Sequence, residues 1–322
     1  MPDRVLVTGA TGFVGSHITQ AFVEAGYEVR CGLRAASDPR WISDLPVELV
    51  PFDLGQSKGL SQAAKDVDVV VHAAGITRAR RTSDYHLVNA EGTRKLAVAA
   101  ADAGTRRFVL ISSLGARGPD ASAKNGSEDL PTSFYGRSKL DAEESLRALG
   151  QQMELVVLRP AAVYGPRDTD LLPLYKMARS GWLIIPPCGS DLLQPVYATD
   201  VARAALAAAD KSGGFGPYPV AETARYTWQD IADGLERALG RSVRTVRLPV
   251  VAFELAGHVA EWAARLRGVV PTFDERRARD LAVHTWTCDP SSTERALEWQ
   301  AEVRLFEGLE RTAQWYRRAG WI

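Results

Sequence analysis

Hydrophobic positions in the first half of the chain fall into short runs separated by longer amphipathic stretches. Val5-Leu6-Val7, Val69-Val70-Val71 and Phe108-Val109-Leu110-Ile111 are apolar at successive positions. Such runs predict strands buried on both faces, as the central strands of a parallel sheet are. Between the first two strands the period lengthens. Ile18, Ala21, Phe22 and Ala25 make a helical stripe, and Gly26 follows where a C-terminal cap belongs. The pattern predicts strands at 5–8, 28–33, 67–72, 107–112 and 154–158, with helices at 16–25, 89–103 and 135–149. Strand and helix alternating in this way predict an α/β fold, a Rossmann-type doubly wound parallel sheet built from right-handed βαβ units.

The pattern changes after Tyr164-Gly165-Pro166-Arg167-Asp168. Helices lengthen, and Trp182, Trp228, Trp262, Trp286, Trp299, Trp315 and Trp321 follow, against Trp41 alone before. A first domain is predicted over 1–168, with 190–221 returning to it through strands at 195–201 and 216–220. A smaller, mostly helical domain takes 169–189 and 222–322, and 322 residues suit two domains at about 150 residues each.

Composition narrows the function classes. With 39 Lys and Arg against 39 Asp and Glu, the chain lacks the basic excess that meets nucleic acid. The most apolar long stretch, 250–270, is broken by Glu254, His258, Glu261, Arg265 and Arg267, so no membrane span is predicted. Cys31, Cys188 and Cys288 fit neither a disulfide framework nor a metal knuckle, and the opening residues lack a signal-peptide pattern. The reading is a cytoplasmic protein whose partner is a small-molecule substrate.

The sharpest chemical signal is Val5-Leu6-Val7-Thr8-Gly9-Ala10-Thr11-Gly12-Phe13-Val14-Gly15. Here a buried strand runs into three glycines spaced three apart. The first glycine permits a tight turn, the second lets backbone approach a pyrophosphate, and the third lets helix pack on strand. The helix N-terminus then presents N–H donors to the anion. This predicts dinucleotide binding in the first domain, through Gly9, Thr11, Gly12, Phe13, Val14 and Gly15. Near the end of the second strand, Arg30-Cys31-Gly32-Leu33-Arg34-Ala35-Ala36-Ser37 contains no carboxylate. Arg34 and Ser37 suit the 2′-phosphate of NADP, whereas a carboxylate would favour NAD. NADP is therefore the expected cofactor, with NAD the alternative.

Tyr135 and Lys139 stand at i and i+4, on one face of a predicted helix. A neighbouring ammonium stabilises tyrosinate and makes the phenol a usable acid/base. Ser112-Ser113 ends a predicted strand, at the edge where parallel sheets carry their ligands. With these three features together the chain resembles the extended short-chain dehydrogenase/reductases. That group contains nucleotide-sugar epimerases and dehydratases, dihydroflavonol-type reductases and 3β-hydroxysteroid dehydrogenases. The resemblance runs on through Asp53-Leu54, Val71-His72-Ala73-Ala74-Gly75, Val88-Asn89-Ala90-Glu91-Gly92-Thr93, Leu158-Arg159-Pro160, Val163-Tyr164-Gly165-Pro166 and Val196-Tyr197-Ala198-Thr199-Asp200. It implies Ser113 as the catalytic hydroxyl, Tyr135 as acid/base and Lys139 as the cation that also bonds the nicotinamide ribose. It further implies cofactor contacts at Asp53, Leu54, Ala73, Ala74, Gly75, Pro160 and Val163, a backbone-bonding role for Asn89, and a homodimer formed through helices 89–103 and 135–149.

The substrate loops decide the branch. Nucleotide-sugar members carry an arginine before the Tyr/His-Val-x-Asp segment, where it pairs with the diphosphate. This chain has Leu193 there. The departure favours an NADP-dependent oxidoreductase for an apolar ketone or secondary alcohol, close in character to the dihydroflavonol and hydroxysteroid branch. The alternatives are a nucleotide-sugar epimerase/dehydratase holding NAD tightly and a non-catalytic dinucleotide-binding subunit. An amphipathic helix around Phe253, Leu255, Val259, Trp262 and Leu266 is read as core packing beside the substrate region. The polar segment 117–133 is read as a cover, Arg78-Ala79-Arg80-Arg81 as a solvated loop and His72 as a packed residue.

Overall fold

A computed structural model describes residues 3–119, 129–185, 192–211, 213–247, 249 and 286–322. Its elements follow in the order β1 (Arg4–Thr8), α1 (Phe13–Glu24), β2 (Glu28–Leu33), β3 (Val47–Pro51), α2 (Leu60–Ala64), β4 (Val69–His72), α3 (Thr82–Tyr85), α4 (Gly92–Asp102), β5 (Arg107–Ile111), α5 (Phe134–Leu146) and β6 (Glu154–Pro160). Next come β7 (Val163–Tyr164), α6 (Leu172–Arg179), β8 (Trp182–Ile185), β9 (Val196–Tyr197), α7 (Ala198–Asp210), β10 (Tyr218–Val220), α8 (Trp228–Leu239) and β11 (Arg244–Arg247), and after these α9 (Ser291–Leu297) and α10 (Leu305–Arg318).

The main sheet has seven parallel strands in the order β10-β6-β5-β4-β1-β2-β3. This is the doubly wound Rossmann arrangement. Side chains alternate across each strand, so Val5 and Val7 face one layer and Leu6 the other. Val5, Val7, Val69, Val71, Val109 and Val156 pack with Ile18 and Phe22 of α1 and with the alanines of α7. Leu6, Val70, Phe108, Leu110 and Val157 pack with Leu96 of α4 and Leu146 of α5. Burial on both faces explains the unbroken apolar runs.

Three expectations change. The predicted strand at 195–201 is strand only at Val196–Tyr197, and α7 begins at Ala198. That strand pairs with Val163–Tyr164 in a separate two-stranded ribbon, so within 190–221 the main sheet is rejoined by Tyr218–Val220, beside β6. Strand β3 carries no sequence signal because it is an edge, with Leu49 51% exposed. The helix expected over 135–149 ends at Leu146 and tightens to a 3₁₀ turn over Arg147–Leu149. The helix around Phe253 and the loop containing Lys124-Asn125-Gly126-Ser127 lie outside the described residues.

Downstream helices form their own core around Tyr164, Tyr175, Tyr197 and Tyr316, with Leu235, Leu305 and Leu309. Among the described residues, no helix is long and apolar enough to cross a membrane.

Candidate active site

Strand order reverses between β1 and β4, and in such sheets the crevice at the strand C-termini is where ligands lie. Gly9 follows β1 and Ala73 follows β4, so both line that crevice. Gly9 has φ +73°, and a Cβ there would stand 2.7 Å from the Ala74 nitrogen. Only glycine brings the two strand ends so close. Gly12 N–H donates to Gly9 O at 2.9 Å, closing the turn that starts α1.

A cavity of about 230 Å³ opens here, and it gathers Gly9, Thr11, Gly12, Arg34, Ser37, Asp53, Leu54, Ala73, Ala74 and Gly75 from the sequence-predicted set. Gly32, Phe52, Gly55, Ile76 and Val88 complete the lining. Sequence reasoning missed these five, although Phe52 and Gly55 flank the Asp53 motif, Ile76 follows the Ala73 motif, Val88 opens the Asn89 motif and Gly32 stands two residues before Arg34. Asp53 Oδ1 accepts from Gln56 N–H at 3.0 Å, which holds the Asp53–Lys58 turn against the cavity. Phe13, Val14 and Gly15 belong to α1 behind the turn, Pro160 ends β6 in register with Val220, and Val163 lies in the β7–β9 ribbon, so none of these five lines the cavity. A glycine-walled cleft at a helix N-terminus, with no room for a Cβ at Gly9, fits an extended dinucleotide.

Beneath the cavity runs a buried hydrogen-bonded chain. Thr93 Oγ1 donates to Asn89 O at 2.5 Å, so it must accept from His72 Nε2–H, 2.9 Å away. His72 Nδ1 then accepts from Thr8 Oγ1 at 2.6 Å, and Thr8 Oγ1 accepts from Ala74 N–H at 3.3 Å. Burial and the Lys139 charge hold the His72 pKa down at about 3, so the ring is neutral. Asn89 sits in a π-helical turn over His86–Glu91. Its side chain receives Ile76 N–H at 2.8 Å and donates to Ile76 O and to Ser138 Oγ, both at 3.0 Å. The expected bond from Asn89 to the sheet backbone falls instead on Ile76, four residues past the end of β4.

Ser113 follows β5 and caps a 3₁₀ turn, its Oγ accepting from Gly115 N–H at 3.0 Å. A point built as a Cβ on Gly115 lies 3.2 Å from Ser113 Oγ and 3.9 Å from Tyr135 Cδ1. Hydroxyl and phenol ring therefore flank one turn, both half-buried. Ser112 points elsewhere: it is buried and donates to Glu143. Tyr85 places its ring 6.5 Å from that of Tyr135, edge to face, a neighbour the sequence did not suggest. Lys139 is buried, and its Nζ donates to Ile111 O at 2.7 Å. Burial lowers its pKa to about 8, partly offset by Glu143 one turn further along α5.

Leu114, Ala161, Ala221 and Cys288 form a small buried apolar cluster with Trp286 packed against it. Leu193 exchanges backbone hydrogen bonds with Tyr226 at 2.7 and 2.8 Å and bridges to Trp286. Arg78 pairs with Asp170 instead of standing solvated. A larger hollow of about 320 Å³ is lined by Arg179, Leu239, Arg241, Arg317 and Ile322. Its Arg241 and Arg317 donate to carbonyls at the ends of α6 and α8, so they cap helices.

Fold, glycine turn and the Ser-Tyr-Lys grouping define an NAD(P)-dependent oxidoreductase. Residues 5–220 match the NAD dependent epimerase/dehydratase family, and the chain belongs to it. It is 33% identical to the ceramide reductase of Caulobacter vibrioides over 99% of this chain and 96% of that one. It is 28% identical to the UDP-glucose 4-epimerase of Vibrio cholerae over 99% and 97%. The UDP-glucose 4-epimerase of Thermotoga maritima, solved with UDP-glucose, superposes with a TM-score of 0.80 at 22% identity, covering 98% of this chain and 99% of that one.

Proposed function

We propose that this protein is an NADP(H)-dependent reductase or dehydrogenase for a ketone or secondary alcohol carried on an apolar substrate. The observation that carries the substrate class is Leu193. Where nucleotide-sugar relatives place an arginine, this chain has an aliphatic side chain on a backbone strip with Tyr226 and Trp286. The buried apolar cluster of Leu114, Ala161, Ala221 and Cys288 includes the residues that follow Ser113 and Pro160 in the chain. A diphosphate finds no cation at Leu193, whose aliphatic side chain suits an apolar substrate instead. Similarity to a ceramide reductase over nearly the whole chain supports the same class. NADP is supported by Arg34 and Ser37, which line the cleft together with no carboxylate at the end of β2.

Bound in the cleft, the nicotinamide dinucleotide supplies or takes up the hydride. The chain's own residues manage the oxygen. Ser113 Oγ orients the substrate oxygen, Tyr135 gives it a proton during reduction, and Lys139 favours the tyrosinate left behind. Lys139 reaches this position because its ammonium is anchored on Ile111 O, at the end of the strand that leads to Ser113.

The test is a panel of long-chain, sterol-type and small ketones, with UDP-glucose as the opposing substrate, assayed with NADPH. NADPH consumption with an apolar ketone is expected. Tyr135→Phe should lower kcat by roughly 10³-fold while the NADPH Kd stays within about twofold. Interconversion of UDP-glucose without net NADPH consumption would overturn the proposal.

A further inference from the structure

Tyr135 stands at the end of a short limb of chain, residues 129–135, whose start is held by one buried cation. Gly115, two residues past Ser113, meets α5 so closely that a Cβ on Gly136 would overlap the Gly115 carbonyl and stand 3.2 Å from Pro131 Cβ. Residues 129–133 are wedged over this crossing. Leu130 N–H donates to Arg117 O at 2.8 Å, and Ser133 caps α5 by accepting from Gly136 N–H at 3.0 Å. Tyr135 is two residues further on.

Arg159, at the end of β6, reaches the start of that limb. Its Nη1 and Nη2 donate to the two Asp129 oxygens at 2.8 and 2.6 Å, a bidentate pair. Its Nε and Nη2 donate to Glu143 at 3.0 and 2.6 Å, and Glu143 also receives the Ser112 hydroxyl. One guanidinium thus ties together the limb, the helix carrying Tyr135 and Lys139, and the strand end carrying Ser113. Side chains of Arg159 and Glu143 are 5% and 2% exposed. Asp129 is a second carboxylate, 29% exposed, which together with Glu143 faces the two buried cations Arg159 and Lys139. It also attaches the limb.

Taking Tyr135 as the proton-exchanging residue, as in the function proposed above, we propose that Asp129 and Arg159 are positioning residues that clamp the 129–135 limb and so fix the phenol relative to Ser113. Misplacing a reacting group by an ångström lowers turnover about 10²-fold. Asp129 keeps a partly exposed edge, so neutralising it costs less stability than stranding a fully buried carboxylate would. The clamp therefore acts mainly on geometry.

Arg159→Met would strand Glu143 in the core, so the informative variant is Asp129→Asn, with Asp129→Glu as the conservative control. In Asp129→Asn, kcat for carbonyl reduction should fall about tenfold or more, with NADPH Kd within about twofold and Tm within a few degrees of wild type. Asp129→Glu should recover most of the loss. Unchanged kcat, or loss of cofactor binding and Tm in step with activity, would overturn the proposal. Amide hydrogen exchange gives an arm independent of substrate: peptides covering 129–137 should exchange about tenfold faster in Asp129→Asn while those of β1 and β6 do not. Unchanged exchange there sinks the clamp even if a suitable ketone is found. If the wild type reduces no ketone but exchange responds as stated, the clamp stands and the assigned reaction fails.

Discussion

The two halves of the cleft are built by different means. The dinucleotide half is made largely of backbone: Gly9, Gly12 and Gly75, with Ala73 and Ala74, form a wall whose shape follows from missing side chains. The substrate half proposed above draws on side chains from distant segments, with Leu114, Ala161, Ala221 and Cys288 buried in one cluster and Trp286 packed against it. A backbone-made surface recognises what every relative shares. A side-chain-made surface changes by substitution without disturbing the fold, and there Leu193 stands in the arginine's place.

The strongest way to break this contrast is to add a small aliphatic group on each side. Gly9→Ala adds a Cβ at φ +73° and 2.7 Å from the Ala74 nitrogen, so strand ends must part. Cofactor Kd should rise about 100-fold or more, with loss of stability of about 2 kcal/mol from the left-handed backbone alone. Isothermal titration with NADPH and a thermal melt check both. Ala221→Val, in the buried apolar cluster, should cost about 1–3 kcal/mol of stability by overpacking while leaving the NADPH Kd within about twofold. Equal effects on cofactor binding would show that the halves are not separable.

Within the dinucleotide half, Arg34 is an exposed side chain on an otherwise backbone-made wall. Arg34→Ala should weaken NADPH by roughly 10- to 100-fold, the worth of a charge-assisted contact, while leaving NADH nearly unchanged. Titration of both cofactors against wild type and variant measures it. An unchanged NADPH/NADH ratio removes Arg34 from cofactor selection.

Legibility in the sequence follows the same division. Gly9, Gly12 and Ala73-Ala74 each lie just past a buried strand whose apolar run announces it, whereas Asp53 follows the edge strand β3 and was legible only through the family resemblance. Tyr135 and Lys139 were readable because one helical turn relates them. The Leu193–Tyr226–Trp286 strip joins residues far apart in the chain, and no periodicity brings them together. Tyr85 escaped notice for the same reason, reaching Tyr135 from a short helix with a weak pattern. The Asp129–Arg159–Glu143 grouping shows how little charge patterning alone reveals: three ordinary charged residues became one buried network only when β6, α5 and the limb were placed.

The smallest predicted effect comes from titration, and it separates the regions by sign. His72 and His17, both near the glycine turn, have pKa values lowered by burial to about 3 and about 4, from an ordinary value near 6.5. The unfolded chain therefore binds protons there first, and stability falls as pH drops through 6.5 toward those values. Asp168 behaves oppositely. Burial raises its pKa to about 7, it lies beneath Tyr316 of α10, and its native form takes up a proton before the unfolded one does. Stability at that site rises as pH falls from about 7 toward 4. Between pH 7 and 5 each histidine should lose about 2 kcal/mol and Asp168 gain about as much, at roughly 1.4 kcal/mol per pH unit. Global stability should then decline modestly on acidification. Hydrogen exchange, corrected for intrinsic rate, should open β1, α1 and β4 at pH 5 while α10 and the Asp168 segment hold or tighten. Uniform loosening of both regions would mean that the buried histidines are not what makes the glycine-turn half sensitive to acid.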